Sequence, residues 1–185
     1  KDILVEILMC TIQRIVQQMT DKKYKVIDNY LSHDDFKTLK DTIFSTEFPW
    51  FHNENIVTDD ELLKDSNGIP FYYQVHLIYQ DNKPNSTFYD SIMKYFDFAL
   101  SLYRVKVNYY PNQGQFIEHS YHADFDFPHR GALFSLNTCD GYTLIGDDKV
   151  DSVENRMIFF DPTKPHASTN TTDQVRRVNI NFNYF

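Results

Sequence analysis

The second half of the chain is a succession of short strand-like runs. From residue 104 onward each run is about five to ten residues long, and turn motifs such as PNQG, TCDG and GDD separate the runs. The runs are RVKVNYY, QFIEHSYHAD, GALFSLN, GYTLIG, VDSVEN, RMIFF and RRVNINFNYF. Short strands at this spacing are typical of antiparallel sandwiches and jelly rolls. This half of the chain therefore favours a jelly-roll type of core.

The first half supplies the helices that can cover an outer face of such a sheet. The run YKVIDNYL at 24–31 alternates and carries β-branched residues, which predicts a strand, and a further strand is predicted at 71–79. SHDDFKTLKDTIFS at 32–45 predicts a helix with Ser32 as its N-cap. A second helix is predicted at 87–102. Its apolar face would comprise Phe88, Ile92, Tyr95, Phe96 and Leu100.

The first 18 residues are considered apart from the rest. Their apolar side chains recur at helical spacing, which predicts an amphipathic helix, but four charged residues make it too polar to span a membrane. The stretch also lacks the basic start and cleavage site of a signal peptide. It could pack on the core, bind a membrane surface or a partner, or be an appendage to a domain that begins near Met19. We therefore expect a helix or appendage at 1–18 and one domain at 19–185.

Charge and cysteine content argue against several classes of protein. The net charge is −8, and no basic run is longer than the pairs at 22–23 and 176–177. Binding to nucleic acid through its phosphates is therefore disfavoured. Cys10 and Cys139 are the only two cysteines, too few for a disulfide scaffold, and they fit a reducing cytoplasm best.

Two His-x-Asp triplets occur in the sequence, and their surroundings distinguish them. About one such triplet is expected by chance from this composition, so the triplet alone carries little weight. His33-Asp34-Asp35 stands at the start of the predicted helix, where aspartate favours capping and the helix dipole, and it is interpreted as structural. His122-Ala123-Asp124 follows a strand and the turn PNQG. Its spacing places both side chains on one face of an extended segment.

Features more than forty residues downstream favour a metal site at His122. His166 comes 44 residues later, directly after the apolar run RMIFF and a proline-bearing turn, which places it at the end of a sheet. The last run alternates strictly, and its polar face suits a wet pocket better than a dry core. The apolar face consists of Val178, Ile180 and Phe182, and the polar face of Arg177, Asn179 and Asn181. Two histidines and a carboxylate are the ligand set of mononuclear non-haem iron.

Taken together, these motifs resemble those of the iron(II)- and 2-oxoglutarate-dependent oxygenases. NYYPNQGQF is similar to the tyrosine-bearing strand and turn before that family's His-x-Asp, and FSLNTCDGYTLI is similar to its next strand pair. The run from NRMIFF to the last residue resembles the end of prolyl hydroxylase domains. The resemblance covers roughly residues 19–185, is specific from Arg104 onward, and is closest to small oxygenases carried by marine bacteriophages. Such a relationship implies that the protein is located in the cytoplasm of a phage-infected host.

The resemblance implies an α+β fold and a set of site residues. The fold would be a double-stranded β-helix (a jelly-roll or cupin-like core) with N-terminal helices packed on the outer face of the major sheet. The implied Fe(II) ligands and catalytic residues are His122, Asp124 and His166. The implied cosubstrate-binding residues are Arg177, Tyr110, Asn179 and Asn108. Arg177 would pair with the distal carboxylate of 2-oxoglutarate through its planar guanidinium.

Several neighbours of these residues are predicted to have lesser roles. His119 is three residues from His122 and therefore on the opposite strand face, so supporting or solvent-facing positions are expected for it and for His129. By the same parity Arg176 faces away from the pocket. Lys106 shares a strand face with the cosubstrate residues and is a weaker pocket candidate.

The implied function is a dioxygenase, specifically a hydroxylase, that couples decarboxylation of 2-oxoglutarate to succinate with oxidation of a C–H bond. Its cofactors would be Fe(II), 2-oxoglutarate and O2, with ascorbate as a further candidate. The substrate would be a peptide or a small molecule; a prolyl 4-hydroxylase-like activity on peptidyl proline leads, and a free amino acid, nucleobase or metabolite stays open. The residues also leave two other functions open: a non-catalytic jelly-roll module, and a zinc hydrolase that uses the same three ligands. For the hydrolase, no glutamate is spaced as an obvious general base. The sequence indicates no oligomeric state.

Overall fold

A computed structural model describes residues 23–53, 64, 68, 70–99 and 101–185. The helix predicted at 1–18 lies outside the described residues. Two helices are present in the described part: α1 (His33–Ile43) and α2 (Tyr89–Met93). The strands are β1 (Tyr24–Ile27), β2 (Phe51–Asn53), β3 (Tyr73–Gln80), β4 (Lys83–Pro84), β5 (Leu102–Pro111), β6 (Arg130–Ser135), β7 (Tyr142–Ile145), β8 (Asp148–Asp151), β9 (Arg156–Phe160), β10 (His166–Ser168) and β11 (Arg176–Tyr184).

These strands form two antiparallel sheets. The larger sheet has the order β1-β9-β6-β11-β5-β3-β2, with β4 paired to β3, and the smaller has the order β10-β7-β8. The last strand of the chain, β11, lies between β5 and β6 at the centre of the larger sheet. Neighbours that are distant in sequence are typical of jelly rolls. The structure confirms the predicted fold class, a mostly antiparallel jelly-roll core with few helices.

The alternation of β11 separates the two faces of the larger sheet. Its apolar side chains Val178, Ile180 and Phe182 are fully buried and belong to the main hydrophobic core. Helix α1 contributes buried side chains to the same core: Phe36, Leu39 and Ile43. The helix therefore covers the outer face of the larger sheet, and the polar face of β11 is directed towards the smaller sheet.

Helix α1 begins where the sequence predicts. The Ser32 side chain accepts a hydrogen bond from the backbone N–H of Asp35 at 3.2 Å, and its hydroxyl donates to the Asp35 carboxylate at 2.7 Å. Two donors at the helix start are thereby satisfied. The His33-Asp34-Asp35 triplet is part of this cap, as predicted.

Two predicted elements differ most from the structure, and the strand predicted at 24–31 ends earlier, at Ile27. The helix predicted at 87–102 is confined to α2, because Phe96 and Phe98, two residues apart, both pack on Phe182 with ring-centroid distances of 4.8 and 5.3 Å. A continuous helix would direct residues two apart to different sides. The strand predicted at 115–124 is instead an irregular segment with isolated bridges, one of which joins His122 to His166.

Two further observations concern the described residues as a whole. The buried thiol of Cys139 is free. Neither α1 nor α2 has the length and hydropathy that crossing a bilayer requires, and the described residues contain no other helix.

Candidate metal and cosubstrate site

The floor of the site is a ladder of polar side chains on β5 and β11. The two strands pair in antiparallel register, so each polar residue of β11 lies opposite one of β5. The four rungs are Arg104 with Asn183, Lys106 with Asn181, Asn108 with Asn179, and Tyr110 with Arg177. Hydrogen bonds link the side chains of the first rung at 3.1 Å and of the third rung at 2.9 Å. We call this arrangement the polar ladder.

The His-x-Asp segment is held beside the distal histidine by backbone pairing. The His122 N–H donates to the His166 carbonyl at 2.9 Å, and the His166 N–H donates to the His122 carbonyl at 3.0 Å. The two imidazole centroids are 4.5 Å apart. One potential ligand atom from each of His122, Asp124 and His166 lies within 4.8 Å of the others. The structure thus brings together the three residues predicted as metal ligands.

Both histidines are oriented for ligation through Nε2. The His166 Nδ1 lies 3.0 Å from the Lys164 carbonyl, and the His122 Nδ1 lies 3.4 Å from the Ser120 carbonyl. A carbonyl can only accept, so these contacts favour the tautomer that carries the proton on Nδ1 and leaves the Nε2 lone pair for a metal. Burial and the neighbouring His166 lower the pKa of His122 to about 4, which keeps this ligand neutral at physiological pH.

Asp124 is a buried carboxylate with two fixed donors. Its Oδ1 accepts from the Arg104 guanidinium at 3.0 Å and its Oδ2 accepts from the Asn183 amide at 2.7 Å. Burial favours the protonated acid, but attraction to Arg104 and Lys106 and the hydrogen bond from Asn183 outweigh it and hold the pKa of Asp124 well below its ordinary value. Each oxygen keeps a second lone pair for a metal.

Arg104 and Asn183 were not predicted as site residues. Arg104 lies over the Phe125 ring at 4.6 Å and donates to Asn183, so it is held in place on both sides. Asn183 also lies 3.2 Å from His129 Nε2, so of the two positions that the sequence left open for His129, supporting or solvent-facing, the structure shows the first. The signal was present in the sequence, because the alternation that identifies Lys106 and Asn181 extends by one more residue pair to Arg104 and Asn183.

The donor set fits a divalent transition metal. Two ligand atoms in adjacent positions about 2.1 Å from one octahedral metal lie about 3 Å apart. The three side chains would therefore bind a metal after closing on it by up to about 2 Å. Two imidazoles and one carboxylate on one side of the ion would leave its other coordination positions open.

The ligands line one side of a pocket of about 390 Å³, its open mouth included. Three of the four predicted cosubstrate residues line the same pocket: Asn108, Tyr110 and Asn179. Arg177 does not line it. It is fully buried behind the inner end, where its guanidinium donates to the Thr143 hydroxyl at 2.8 Å and the Thr169 carbonyl at 2.9 Å. Its Nε has no hydrogen-bond partner among the residues that the structure describes. Because Thr143 is itself a lining residue, Arg177 reaches the pocket through this contact.

Close packing of β7 against Arg177 depends on a glycine that sequence reasoning did not single out. A Cβ on Gly141 would lie 2.7 Å from Arg177 Cδ and 2.4 Å from the Asn170 carbonyl oxygen. Any larger residue would displace the arginine or the backbone beside it. Arg176 points to the other side, with its guanidinium carbon 4.3 Å from the Phe44 ring centroid, as its parity predicts.

His119 supports the inner end of the pocket. It is buried, its Nδ1 lies 2.8 Å from the Ser168 hydroxyl, and its ring stacks on Tyr110 at 5.4 Å. Of the two positions that the sequence left open for it, supporting or solvent-facing, the structure shows the first.

We expect the metal-free protein to lose stability steeply as the pH falls below 6.5. Burial, with the positive charges of Arg177 and His122, lowers the pKa of His119 to about 3. The His119 imidazole takes up a proton near pH 6.5 in the unfolded chain but only near pH 3 in the folded chain. Acidification therefore stabilises the unfolded state relative to the folded state. His119 alone then costs about 2 kcal/mol of unfolding free energy between pH 7 and pH 5. Urea unfolding at several pH values measures this loss.

The matched variant for this measurement is His119→Gln, whose amide keeps a partner for Ser168 without titrating. Between pH 7 and pH 5, the free energy of unfolding of this variant should fall by about 2 kcal/mol less than that of the wild type. Equal losses in both proteins would show that His119 does not cause the acid sensitivity.

Comparisons with known proteins support the fold. No family model matches the sequence, and no curated protein matches it. Among solved structures, a prolyl hydroxylase from Trichoplax adhaerens in complex with a hypoxia-inducible factor peptide fragment aligns over 100% of this chain and 93% of its own, with a TM-score of 0.55 and 15% identity. A prolyl-4-hydroxylase from Pseudomonas putida aligns over 93% and 98%, with a TM-score of 0.54 and 15% identity.

A third similar structure is SnoN, a non-haem α-ketoglutarate-dependent epimerase from nogalamycin biosynthesis. It aligns over 95% of this chain and 83% of its own, with a TM-score of 0.60 and 12% identity. SnoN has also been solved with Fe3+ and α-ketoglutarate. The chain therefore has the fold of the iron(II)- and 2-oxoglutarate-dependent oxygenases.

Proposed function

We propose that this protein is an iron(II)- and 2-oxoglutarate-dependent dioxygenase that acts as a hydroxylase. The observation that carries the proposal is the convergence of His122, Asp124 and His166 at a pocket of this particular fold. A jelly roll that only bound a partner or served as a structural part would have no need of two imidazoles whose Nδ1 atoms are turned to backbone carbonyls beside a buried ionised carboxylate. The polar ladder beside this triad supplies a binding surface for a second polar ligand.

Each group has a role that follows from its contacts. His122, Asp124 and His166 would hold Fe(II), which with 2-oxoglutarate and O2 supplies the oxidising chemistry when bound. Arg104 and Asn183 keep Asp124 ionised and fix its orientation. Arg177 and Thr143 would bind the distal carboxylate of 2-oxoglutarate at the inner end, with Tyr110, Asn108 and Asn179 along the ladder. The buried walls keep bulk water away from the reacting atoms.

Peptidyl proline is the first substrate to test. Two of the similar structures are prolyl hydroxylases, and one of them holds a peptide. At 15% identity these likenesses support the fold, so a free amino acid, a nucleobase and a small metabolite belong in the same panel. Succinate released from 2-oxoglutarate in the presence of each compound identifies the substrate.

An anaerobic titration tests the proposal directly. We expect a metal-to-ligand absorption band that appears only when both Fe(II) and 2-oxoglutarate are present. The band should be absent from the double variant Asp124→Asn, His166→Ala, and an equal band in that variant would show that the ligand set is wrong. Absence of metal binding in the wild type would favour a non-catalytic module. Zinc-dependent activity without 2-oxoglutarate would favour a hydrolase.

A further inference from the structure

The second rung of the polar ladder carries a positive charge that has no partner among the described residues. Lys106 lines the pocket together with all three residues of the metal triad. Its ammonium group makes no hydrogen bond and no ion pair within the described part of the chain. The residue opposite, Asn181, is 6% exposed, and its Oδ1 is buried without a hydrogen-bond partner. At the metal side of the pocket, the Lys106 ammonium and the Asn181 Oδ1 are thus a donor and an acceptor that are not engaged by any of the described residues.

The charges around Lys106 are unbalanced. Among the described residues, Asp124 is the only acidic one that lines the pocket, and it is already paired with Arg104 at 3.0 Å. Lys106 therefore has no counter-ion of its own in the described part of the chain. Burial lowers the pKa of Lys106 to about 8, so it stays mostly protonated at neutral pH. A half-buried charge without a partner costs free energy, and an anion in the pocket would offset that cost.

The position of Lys106 separates it from the arginine at the inner end. Lys106 is opposite Asn181, whereas Arg177 is opposite Tyr110, four residues further along β5. Four residues of a strand span about 13 Å. The two cations thus lie at different depths, with Arg177 behind Thr143 and Lys106 beside Asp124. A ligand group held by Lys106 would lie on the metal side of the pocket.

We propose that Lys106 and Asn181 bind a carboxylate next to the metal triad, at a position distinct from that of Arg177. The inference rests on the proposed function for its biological meaning. The carboxylate has two possible sources. It is either the metal-side carboxylate of 2-oxoglutarate or a carboxylate of the substrate, and the second source would make the enzyme selective for acidic substrates over neutral peptidyl proline.

Calorimetry with the Fe(II)-loaded protein under anaerobic conditions distinguishes these sources. The variants are Lys106→Met and Lys106→Gln, and the matched control is Lys25→Met, which changes an exposed lysine on β1. If the carboxylate comes from 2-oxoglutarate, both Lys106 variants should bind 2-oxoglutarate about tenfold to a hundredfold more weakly than the wild type, as loss of a charge-assisted hydrogen bond predicts. Metal affinity without 2-oxoglutarate should equal or exceed the wild-type value, because both variants remove a positive charge beside the metal triad.

If the carboxylate comes from the substrate, 2-oxoglutarate affinity stays at the wild-type value in every variant. Acetate, L-proline and L-glutamate then serve as probes of the protein loaded with Fe(II) and 2-oxoglutarate, and binding of the best probe should fall about tenfold or more in Lys106→Met. Wild-type affinities of the Lys106 variants for 2-oxoglutarate and for all three probes would overturn the proposal.

A metal-free titration keeps this inference separate from the proposed function. Acetate and succinate binding to an ammonium needs no iron, so the loss in Lys106→Met remains measurable even if the wild type forms no Fe(II) complex. Thermal unfolding without ligand checks the fold. Since the variant removes a charge without a counter-ion, its unfolding temperature should equal or exceed that of the wild type. An unfolding temperature below that of Lys25→Met would instead indicate a structural role for Lys106.

Discussion

Replacing His166 by alanine should abolish tight Fe(II) binding. The substitution removes one of three ligand atoms that lie within 4.8 Å of each other. Loss of a partner that only orients a ligand typically costs about tenfold to a hundredfold in metal affinity, so loss of the ligand itself should cost more than about a hundredfold. Anaerobic Fe(II) titration followed by the 2-oxoglutarate-dependent absorption band measures the effect.

Asp124 requires a gentler substitution than alanine. Its carboxylate balances Arg104 and accepts from Asn183, so Asp124→Ala would leave the Arg104 guanidinium without its counter-ion and destabilise the fold around it. Asp124→Asn keeps the shape, and we expect it to lower Fe(II) affinity by more than about tenfold with little change in structure.

The matched control is His33→Ala. It removes the histidine of the other His-x-Asp triplet, which is exposed at the start of α1. This variant should bind Fe(II) and 2-oxoglutarate as the wild type does. Wild-type metal binding by His166→Ala, or an equal loss in His33→Ala, would contradict the ligand assignment.

The parts of the site that could be predicted depend on local periodicity. Alternation alone identifies Arg177, Asn179 and Asn181 as one face of the last strand, because side chains on a strand alternate whatever the strand pairs with. That face is the one that meets β5 in the polar ladder. The triplet at His122 is identified by its two-residue spacing, by its place after a strand and the turn PNQG, and by His166 and Arg177 further along the chain.

Register between distant strands could not be predicted in the same way. The pairing of Arg104 with Asn183 and the contact of both with Asp124 depend on how β11 lies between β5 and β6. The position of Arg177 behind Thr143 depends on the close approach of β7, which only Gly141 permits. Both features are consequences of tertiary packing, and no window of the sequence contains them.

The same limit explains the helix that was predicted to be too long. Apolar residues recur at helical spacing between 88 and 100, and the pattern favours a helix when considered alone. In the fold, Phe98 packs on Phe182, Phe159 and Tyr184 at 5.0 to 5.3 Å. Burial of this aromatic ring against the larger sheet outweighs the few tenths of a kcal/mol per residue that helix propensity contributes.

Arg177→Leu should weaken 2-oxoglutarate binding by about a hundredfold or more while the protein stays folded. A charge-assisted bidentate contact with a carboxylate is among the strongest that a side chain makes, and leucine offers no donor. Folding responds differently, because exchanging a fully buried charge for an apolar side chain removes a desolvation cost while it leaves the Thr169 carbonyl without its donor. Calorimetric titration of the Fe(II) form with 2-oxoglutarate measures the first effect and urea unfolding the second.

Arg176→Leu is the matched control, because it changes the neighbouring arginine, whose guanidinium lies over Phe44 on the opposite face of β11. Its 2-oxoglutarate affinity should equal that of the wild type. The 2-oxoglutarate affinity of Arg177→Lys should lie between those of Arg177→Leu and Arg176→Leu, since lysine keeps the charge but lacks the planar guanidinium. A loss in Arg176→Leu as large as in Arg177→Leu would mean that the strand was disturbed. Wild-type affinity in Arg177→Leu would place the distal carboxylate elsewhere, and Lys106, which lines the pocket, would then be a cation able to receive it.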